Sequence, residues 1–313
     1  MFNHLTPPPT TVNTNNGGPS TRQISLTCSG HTRPVVQLSF SKALPDGSYY
    51  LVSACKDGKP ILCDGKTGDW LGTFIGHKGA VWSIMLDDRS DNAVTASADF
   101  TAKVWDAHTG QELVSLPHEH IVRSADFVDG KRDQVVTGGQ ERLIRLFDLN
   151  RPDSPATLNV CHKTTVKNVR WISAASLVMS SSEDGAIHLT DLRTGKPART
   201  LSVPEKLTRV SVSIDGSLVS CGAGNKAYIW DAKECQLLKN VPLGYDASVV
   251  SVHPGRTRFV VGSVSETCAR VHDYESGAEI AQMAQSMLQE DGTVRLWQTI
   301  PGTAYGLWQP RTI

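Results

Sequence analysis

No stretch of about 18 consecutive apolar residues occurs in the 313-residue chain, so a membrane-spanning helix is not expected. The first residues carry no apolar core of a secretory leader, and none is expected here. Neither sign of charge is in excess. The 31 Lys and Arg balance 31 Asp and Glu, which argues against a strongly basic protein whose affinity comes from neutralising phosphates but leaves a local patch open. Paired-cysteine spacing is also missing. The seven cysteines, Cys28, Cys55, Cys63, Cys161, Cys221, Cys235 and Cys268, are odd in number and form no C-x-x-C. They suggest neither a zinc site nor a disulfide framework, and most sit in apolar strand-like runs where Cys acts as a small hydrophobe. A reducing compartment is expected. No Gly-rich phosphate loop precedes a helix, and no isolated Ser, Cys or Lys nucleophile has a recognisable set of partners. An enzyme reading has no residues to attach to, and no catalytic residue, metal or cofactor is expected.

What the chain does contain is a repeat. An apolar pair, then an aromatic or its replacement, then Asp recurs as Ile61-Leu62-Cys63-Asp64, Lys103-Val104-Trp105-Asp106, Arg145-Leu146-Phe147-Asp148, His188-Leu189-Thr190-Asp191, Tyr228-Ile229-Trp230-Asp231 and Arg270-Val271-His272-Asp273. Successive Asp landmarks lie 42, 42, 43, 40 and 42 positions apart, and a last copy ends Leu296-Trp297-Gln298. Gly30-His31 and Gly76-His77 open the first two units, and Pro117-His118 and Cys161-His162 hold that place in the next two. A carboxylate stands seven residues before the landmark at Asp57, Asp99, Glu141, Asp184 and Glu266, and Asp291 precedes Gln298 likewise. Apolar runs of about six residues separated by Gly, Asp and Asn turns read as short strands. A period of about 40–45 with these landmarks is the signature of a WD40 β-propeller, in which each unit is one four-stranded blade. The fold class is therefore all-β.

Buried turn backbone must be hydrogen-bonded, which explains why polar residues recur in register. The turn carboxylate can accept from turn amides and the His ring, the His can bond a strand hydroxyl, and the hydroxyl can take a Trp indole N–H. The expected blade network comprises His31, Asp57, His77, Ser97 (with Thr95 as an alternative), Asp99, Trp105, His162, Asp184, Asp291 and Trp297. Units five and six lack the Gly-His, and Gly224 replaces the carboxylate in unit five, so apolar packing should hold them. His, Ser and Asp together could also suggest a catalytic triad, but a triad does not come in several copies per chain. The His118-Glu119-His120 run could suggest a metal, but without further ligands it reads as a blade-opening His beside a surface His.

Residues 1–22 are low in complexity and almost uncharged, and read as a disordered tail. The propeller is expected over 23–300 and a C-terminal tail over 301–313. Ile24–Cys28 looks like an extra strand that completes the last blade from the N-terminal side, removing an open sheet edge. The seventh unit, 278–298, is short. Asp273 to Gln298 is only 25 positions, about 17 below the period and enough for two short strands and a turn. Ile280, Met283, Ala284, Met287 and Leu288 recur at helical spacing. Two readings stand: a spliced product that lost most of one blade, favoured by the intact flanking motifs, or a variant in which a short helix plugs the gap. The plan is seven blades, six full and the seventh truncated, kept only as its inner strand.

Particular runs go further than the period. Thr27-Cys28-Ser29-Gly30-His31-Thr32-Arg33-Pro34, Lys56-Asp57-Gly58-Lys59-Pro60, Thr67-Gly68-Asp69-Trp70-Leu71-Gly72-Thr73-Phe74-Ile75-Gly76-His77, Ala98-Asp99-Phe100-Thr101-Ala102-Lys103 and Tyr305-Gly306-Leu307-Trp308 resemble the serine/threonine kinase receptor-associated, or Unr-interacting, family of WD40 proteins. The resemblance spans 24–308 and is dense in units one to three. It departs from the family in the short seventh unit and in lacking an acidic C-terminal extension. It implies a non-catalytic adaptor in the cytoplasm and nucleus, first in the survival-motor-neuron complex that loads Sm proteins onto spliceosomal RNAs. It also implies links to an RNA-binding translation regulator and to receptor kinases of the TGF-β type. The implied partners are proteins, including Gemin-type components, with RNA contact indirect, no membrane, and the chain a monomer within a larger complex. Two other readings are a propeller subunit of translation initiation factor three and direct RNA binding by one basic face.

Recognition on a propeller falls on loops and faces, where exposed aromatic and Arg side chains make the strongest contacts. Candidate partner-binding residues are Arg33, Lys56, Lys59, Trp70, Lys78, Trp82, Phe100, Lys103, Arg123 and Arg142. For Trp82 the competing role is packing between blades, and for the lysines it is a solvated face.

Overall fold

A computed structural model describes residues 24–28, 30–128, 131–158, 160, 162–263, 268–284 and 294–298. Strand β1 (Ile24–Cys28) is followed by six four-stranded antiparallel sheets, each paired in chain order. Blade one is β2 (Val35–Phe40), β3 (Tyr50–Cys55), β4 (Ile61–Asp64) and β5 (Trp70–Thr73); blade two is β6 (Val81–Leu86), β7 (Asn92–Ser97), β8 (Thr101–Asp106) and β9 (Glu112–Pro117). Blade three is β10 (Val122–Val128), β11 (Lys131–Gly139), β12 (Ile144–Asp148) and β13 (Ala156–Leu158); blade four is β14 (Val166–Ile172), β15 (Leu177–Ser182), β16 (Ala186–Asp191) and β17 (Lys196–Ser202). Blade five is β18 (Leu207–Val212), β19 (Leu218–Ala223), β20 (Lys226–Asp231) and β21 (Leu237–Pro242); blade six is β22 (Ala247–Val252), β23 (Arg258–Ser263), β24 (Cys268–Asp273) and β25 (Glu279–Ala284). Strand β26 (Val294–Gln298) pairs antiparallel with β1, Leu26 opposite Leu296. Each Asp landmark thus closes the third strand of its blade. Among the described residues no helix is long and apolar enough to cross a membrane.

Burial follows position in the blade. The second strands β7, β15 and β19 are buried along both faces, so their sequences read as continuous apolar or small runs. The outer strands β9, β17 and β21 each bury one residue, Leu116, Leu201 or Val241. The core is a series of layers between blades. Val52, Ala54, Leu62 and Phe74 of blade one pack on Val81, Ile84, Ala93 and Trp105 of blade two. Val94, Ala96, Val104 and Leu116 of blade two pack on Val122, Ala125, Phe127 and Phe147 of blade three. Each large aliphatic or aromatic side chain removed from water contributes about 1.5–3 kcal/mol. The N-terminal strand joins this scheme: Cys28 packs on Leu51, Ile61 and Cys63 of blade one.

Two expectations about the end of the ring are corrected. Residues 279–284 are strand, not helix: β25 pairs with β24, Val271 opposite Ala281, and Ile280 and Ala281 pack on Val271. The Ala- and Met-rich composition favours a helix locally, but pairing with an available edge overrides that preference. The segment is the outer strand of blade six, so 278 is too early a start for the seventh unit. Moreover, β26 is not an inner strand. Gln298 occupies the landmark that ends every third strand, and β1 pairs on its outer side.

Candidate protein-interaction face

The face is built on the turns between second and third strands. In blade two, His77 Nδ1 lies 2.8 Å from Asp99 Oδ2, His77 Nε2 lies 2.6 Å from Thr95 Oγ1, and the fully buried Trp105 donates its indole N–H to Thr95 Oγ1 at 2.8 Å. Asp99 also accepts the backbone N–H of Lys78 and Thr101 and the Thr101 hydroxyl. Burial raises the Asp99 pKa, but the bonds from His77, Thr101 and Lys78 outweigh it and hold the carboxyl well below the usual range. The expected Ser97 is not in this chain of bonds. Its hydroxyl donates to Ala80 O and accepts the Asp99 N–H. Thr95 and Ser97 point to the same side of β7, and Thr95 is the one level with the Trp105 indole.

The other blades vary the theme. In blade one, His31 bridges Asp57 (3.1 Å) and Ser53 (2.7 Å), with Cys63 where the Trp would stand. In blade three, His118 bonds Leu116 O and Thr137, while Glu141 takes the Glu119 N–H and Arg145. In blade four, His162 bonds Ser180, and Asp184 caps the Lys163 and Ala186 amides. Asp291 lies outside the described residues, and only the backbone of Trp297 falls within them. His31, Cys55 and Asp57 come close enough to suggest a metal, but their donors are already committed. Cys55 Sγ donates to Arg33 O at 2.9 Å, and burial pushes its thiol up to about 11, away from the thiolate a metal needs. A cleft of about 350 Å³ at the outer seam of blades one and two is lined by Leu71, Phe74, Ala107 and His108, whose Nε2 lies 3.3 Å from Asp91 Oδ1.

A second regularity aims side chains outward from these turns. Every innermost strand is bulged near its start, between Val35 and Gln37, Val81 and Ser83, Val122 and Ser124, Val166 and Asn168, Leu207 and Val210, and Ala247 and Val249. A bulge re-aims the extra residue. The bulged Trp82 is half-buried, with the Arg123 guanidinium 3.9 Å from its ring centroid and Lys56 Nζ 5.9 Å away. Three consecutive blades thus meet at one indole. Burial lowers the Arg123 pKa, and Glu183 in the blade-four turn partly offsets this. Glu183 pairs with Lys167, the blade-four bulge residue, at 2.5 Å and with Lys206 at 3.8 Å. Packing between blades and a place on the face are therefore the same role for Trp82.

The turn residue after the carboxylate has positive φ in each of blades one to four. It is Gly58 and Gly185 in blades one and four, but Phe100 (φ 68°) and Arg142 (φ 62°) in blades two and three. Phe100 is 47% exposed and Arg142 is exposed. Bulky residues are held there against a backbone preference. Arg33, Lys56, Lys59 and Lys78 are exposed on the same loops. Two candidates lie elsewhere. Trp70, 60% exposed, opens the outer strand β5, and Lys103 is tied to Glu112 at 2.6 Å beside Trp105. Lys167, Glu183 and Lys206 were missed; the only signal was position, at the bulge and before or near the turn carboxylate.

Residues 68–106 match the model of the WD domain, G-beta repeat. Over 305 residues the chain is 38% identical to the Serine-threonine kinase receptor-associated proteins of Gallus gallus and Homo sapiens, covering 92% of this chain and 86% of each relative. It is 40% identical to the Dictyostelium discoideum protein of that name over 293 residues, 87% of this chain and 98% of the relative. The chain belongs to the serine-threonine kinase receptor-associated protein family. Eukaryotic translation initiation factor 3 subunit I of Culex quinquefasciatus is more distant, at 26% identity over 77% of each chain. Membership in the receptor-associated family and the propeller fold make the chain a non-catalytic scaffold. Within that family's architecture, the turns and bulges just described are where a rigid body can present side chains to another protein.

Proposed function

We propose that the chain is an adaptor for ribonucleoprotein assembly, acting in a survival-motor-neuron-type complex of cytoplasm and nucleus, and that it also engages receptor kinases, as the relatives' name suggests. The partners are proteins, RNA is contacted through them, and the chain enters the complex as a monomer. The carrying observation is the platform at Trp82. A rigid aromatic clamped by Arg123 and Lys56 has the chemistry of an interface hot spot, and the exposed Arg33, Lys59, Lys78 and Arg142 on the blade turns and openings suit an acidic partner surface. The network under the turns supports this reading because a preorganised surface loses little entropy on binding.

Affinity capture with the tagged chain from cell extract tests it. The wild-type chain is expected to recover survival-motor-neuron and Gemin-type proteins, and Trp82→Ala with Arg123→Glu to recover less than about a tenth as much. Capture of translation initiation factor three subunits instead, or equal recovery by the variant, would overturn the reading.

A further inference from the structure

The two-stranded β1–β26 sheet leaves a slot in the ring. Asp273 to Gln298 is 25 positions, against 42 from Asp231 to Asp273, a shortfall of 17. The two inner strands with their turn span 17 residues in blades two (81–97), four (166–182), five (207–223) and six (247–263). The deficit is therefore the length of one inner hairpin. The strands agree. In every full blade the third strand pairs on both sides, whereas β26 pairs with β1 alone among the described residues. Among the described residues, the inner edge of β26 has no ladder partner.

The flanking blades show the same gap in their side chains. Leu38 occupies the position held by Ile84, Ala125, Val169, Val210 and Val250 in blades two to six. Those five are at most 1% exposed, and Leu38 is 46% exposed. The residues equivalent to Leu38 pack against the preceding blade, as Ile84 does on Val52 and Ala54. For Leu38 that blade is the seventh. On the opposite wall, Val260 is partly exposed, while its counterparts Val52, Val94, Val136 and Met179 are fully buried. Farther out the wall is covered: Cys28 of β1 seals Leu51, Ile61 and Cys63. The uncovered part is the inner half of one blade.

We propose that this slot binds a β-hairpin of a partner protein, which supplies the two inner strands of the seventh blade in trans. The hairpin adds its edge to β26 by backbone pairing. It carries small or β-branched apolar residues on both faces, because one face meets Leu38 and Val35 and the other Val260. Segments of this chain are poor occupants. The stretch 285–293 has nine residues, too few for two strands and a turn. In segment 1–23, Pro7, Pro8, Pro9 and Pro19 leave no Pro-free run longer than nine residues, and segment 299–313 has 15 residues, fewer than the 17 of an inner hairpin, with Pro301 and Pro310 near its ends. A second copy has no spare hairpin, since its inner strands are already built into blades. The slot is separate from the Trp82 platform, so this inference does not depend on the adaptor reading.

The probe is a fluorescent 17-residue peptide with the sequence 247–263, tested on the full chain beside a scrambled peptide. Saturable 1:1 binding by anisotropy is expected, with a rise of several degrees in Tm. Leu38→Asp should weaken it at least tenfold, while Trp82→Ala leaves it unchanged. A second chain, with the 247–263 sequence inserted after Glu290, should melt higher and no longer bind the probe. Equal binding of the scrambled peptide, no binding by the parent, or undiminished binding by the inserted chain would overturn the proposal. Dimerisation of the parent lost in Leu38→Asp would assign the slot to a second copy, and binding seen only after deletion of 299–313 would assign it to the chain's own tail.

Discussion

At the scale of single residues, the turns store opposing preferences that can be read out one at a time. Phe100 sits at φ 68° where Gly58 and Gly185 sit in sister blades. A Cβ in the left-handed region costs about 1–2 kcal/mol, while Gly ordinarily loses about 0.5–1 kcal/mol to Ala through backbone entropy. The first effect wins here, so Phe100→Gly should be more stable than Phe100→Ala by about 0.5–1 kcal/mol in urea denaturation. The reverse order would show that the turn relaxes. His162 makes a second case. Its ring is buried, bonded at Nε2 to Ser180, and its centroid is 4.7 Å from that of His188. Burial, then the neighbouring His188, lowers its pKa from 6.5 to about 4, against a smaller opposing pull from Asp184. The folded chain therefore holds this ring neutral where the unfolded chain protonates it. Its contribution to stability is complete above about pH 6.5 and falls away as pH drops towards 4. Melting measured from pH 7 to 4 should fall more steeply for the wild type than for His162→Gln, and parallel curves would remove His162 as the source.

At the scale of elements, close approach between blades depends on small residues at strand ends. A Cβ on Gly138, near the end of β11, would lie 2.6 Å from Val169 Cγ2 and 2.8 Å from Val166 Cγ1 on the inner strand of blade four. Both valines are fully buried and cannot turn away freely. Gly138→Ala should cost about 1–3 kcal/mol by overpacking, and calorimetry showing an unchanged Tm would mean that the two blades are not packed this closely. The same scale explains what could be read in advance. The blades were legible because the landmark Asp recurs every 40–43 positions and, in every full blade but the fifth, a carboxylate stands seven residues before it. The outer strand β25 was not, because its Ile280, Met283 and Ala284 fit a helical pattern and only the waiting edge of β24 decides against it. The His77 network was legible as residue types, but choosing Thr95 over Ser97 needs the height of the Trp105 indole. The cluster of Lys167, Glu183 and Lys206 was beyond the sequence, since it comes from a bulge and from residues brought together by neighbouring blades.

At the scale of the whole molecule, a propeller is stable as a ring because every blade buries both faces, so the seam carries disproportionate weight. Here the seam is held from outside by β1. It pairs with β26 along five residues and places Cys28 on Leu51, Ile61 and Cys63 of blade one. Inside, Arg209 of blade five reaches across the axis, donating from Nη1 to Val36 O of blade one at 3.0 Å. Burial, with repulsion from Arg170, pushes its guanidinium down to about 10, the mark of a cation held deep in the protein near a second one. The β1 strand is therefore expected to act as a clasp whose loss is felt across the ring. Leu26→Pro puts a residue without an N–H in the middle of the β1–β26 ladder, opposite Leu296, at a cost of about 1–3 kcal/mol. Because Leu51, Ile61 and Cys63 then lose their cover, hydrogen exchange should rise first in blade one and at β26, while the amides of β15 and β19, buried between intact neighbours, stay protected until global unfolding. Uniform loss of protection in all blades would mean that the ring unfolds as one cooperative unit and that β1 is no separate clasp. Unchanged exchange in blade one would mean that blade one is held by its own layer with blade two and by the Arg209 bridge alone.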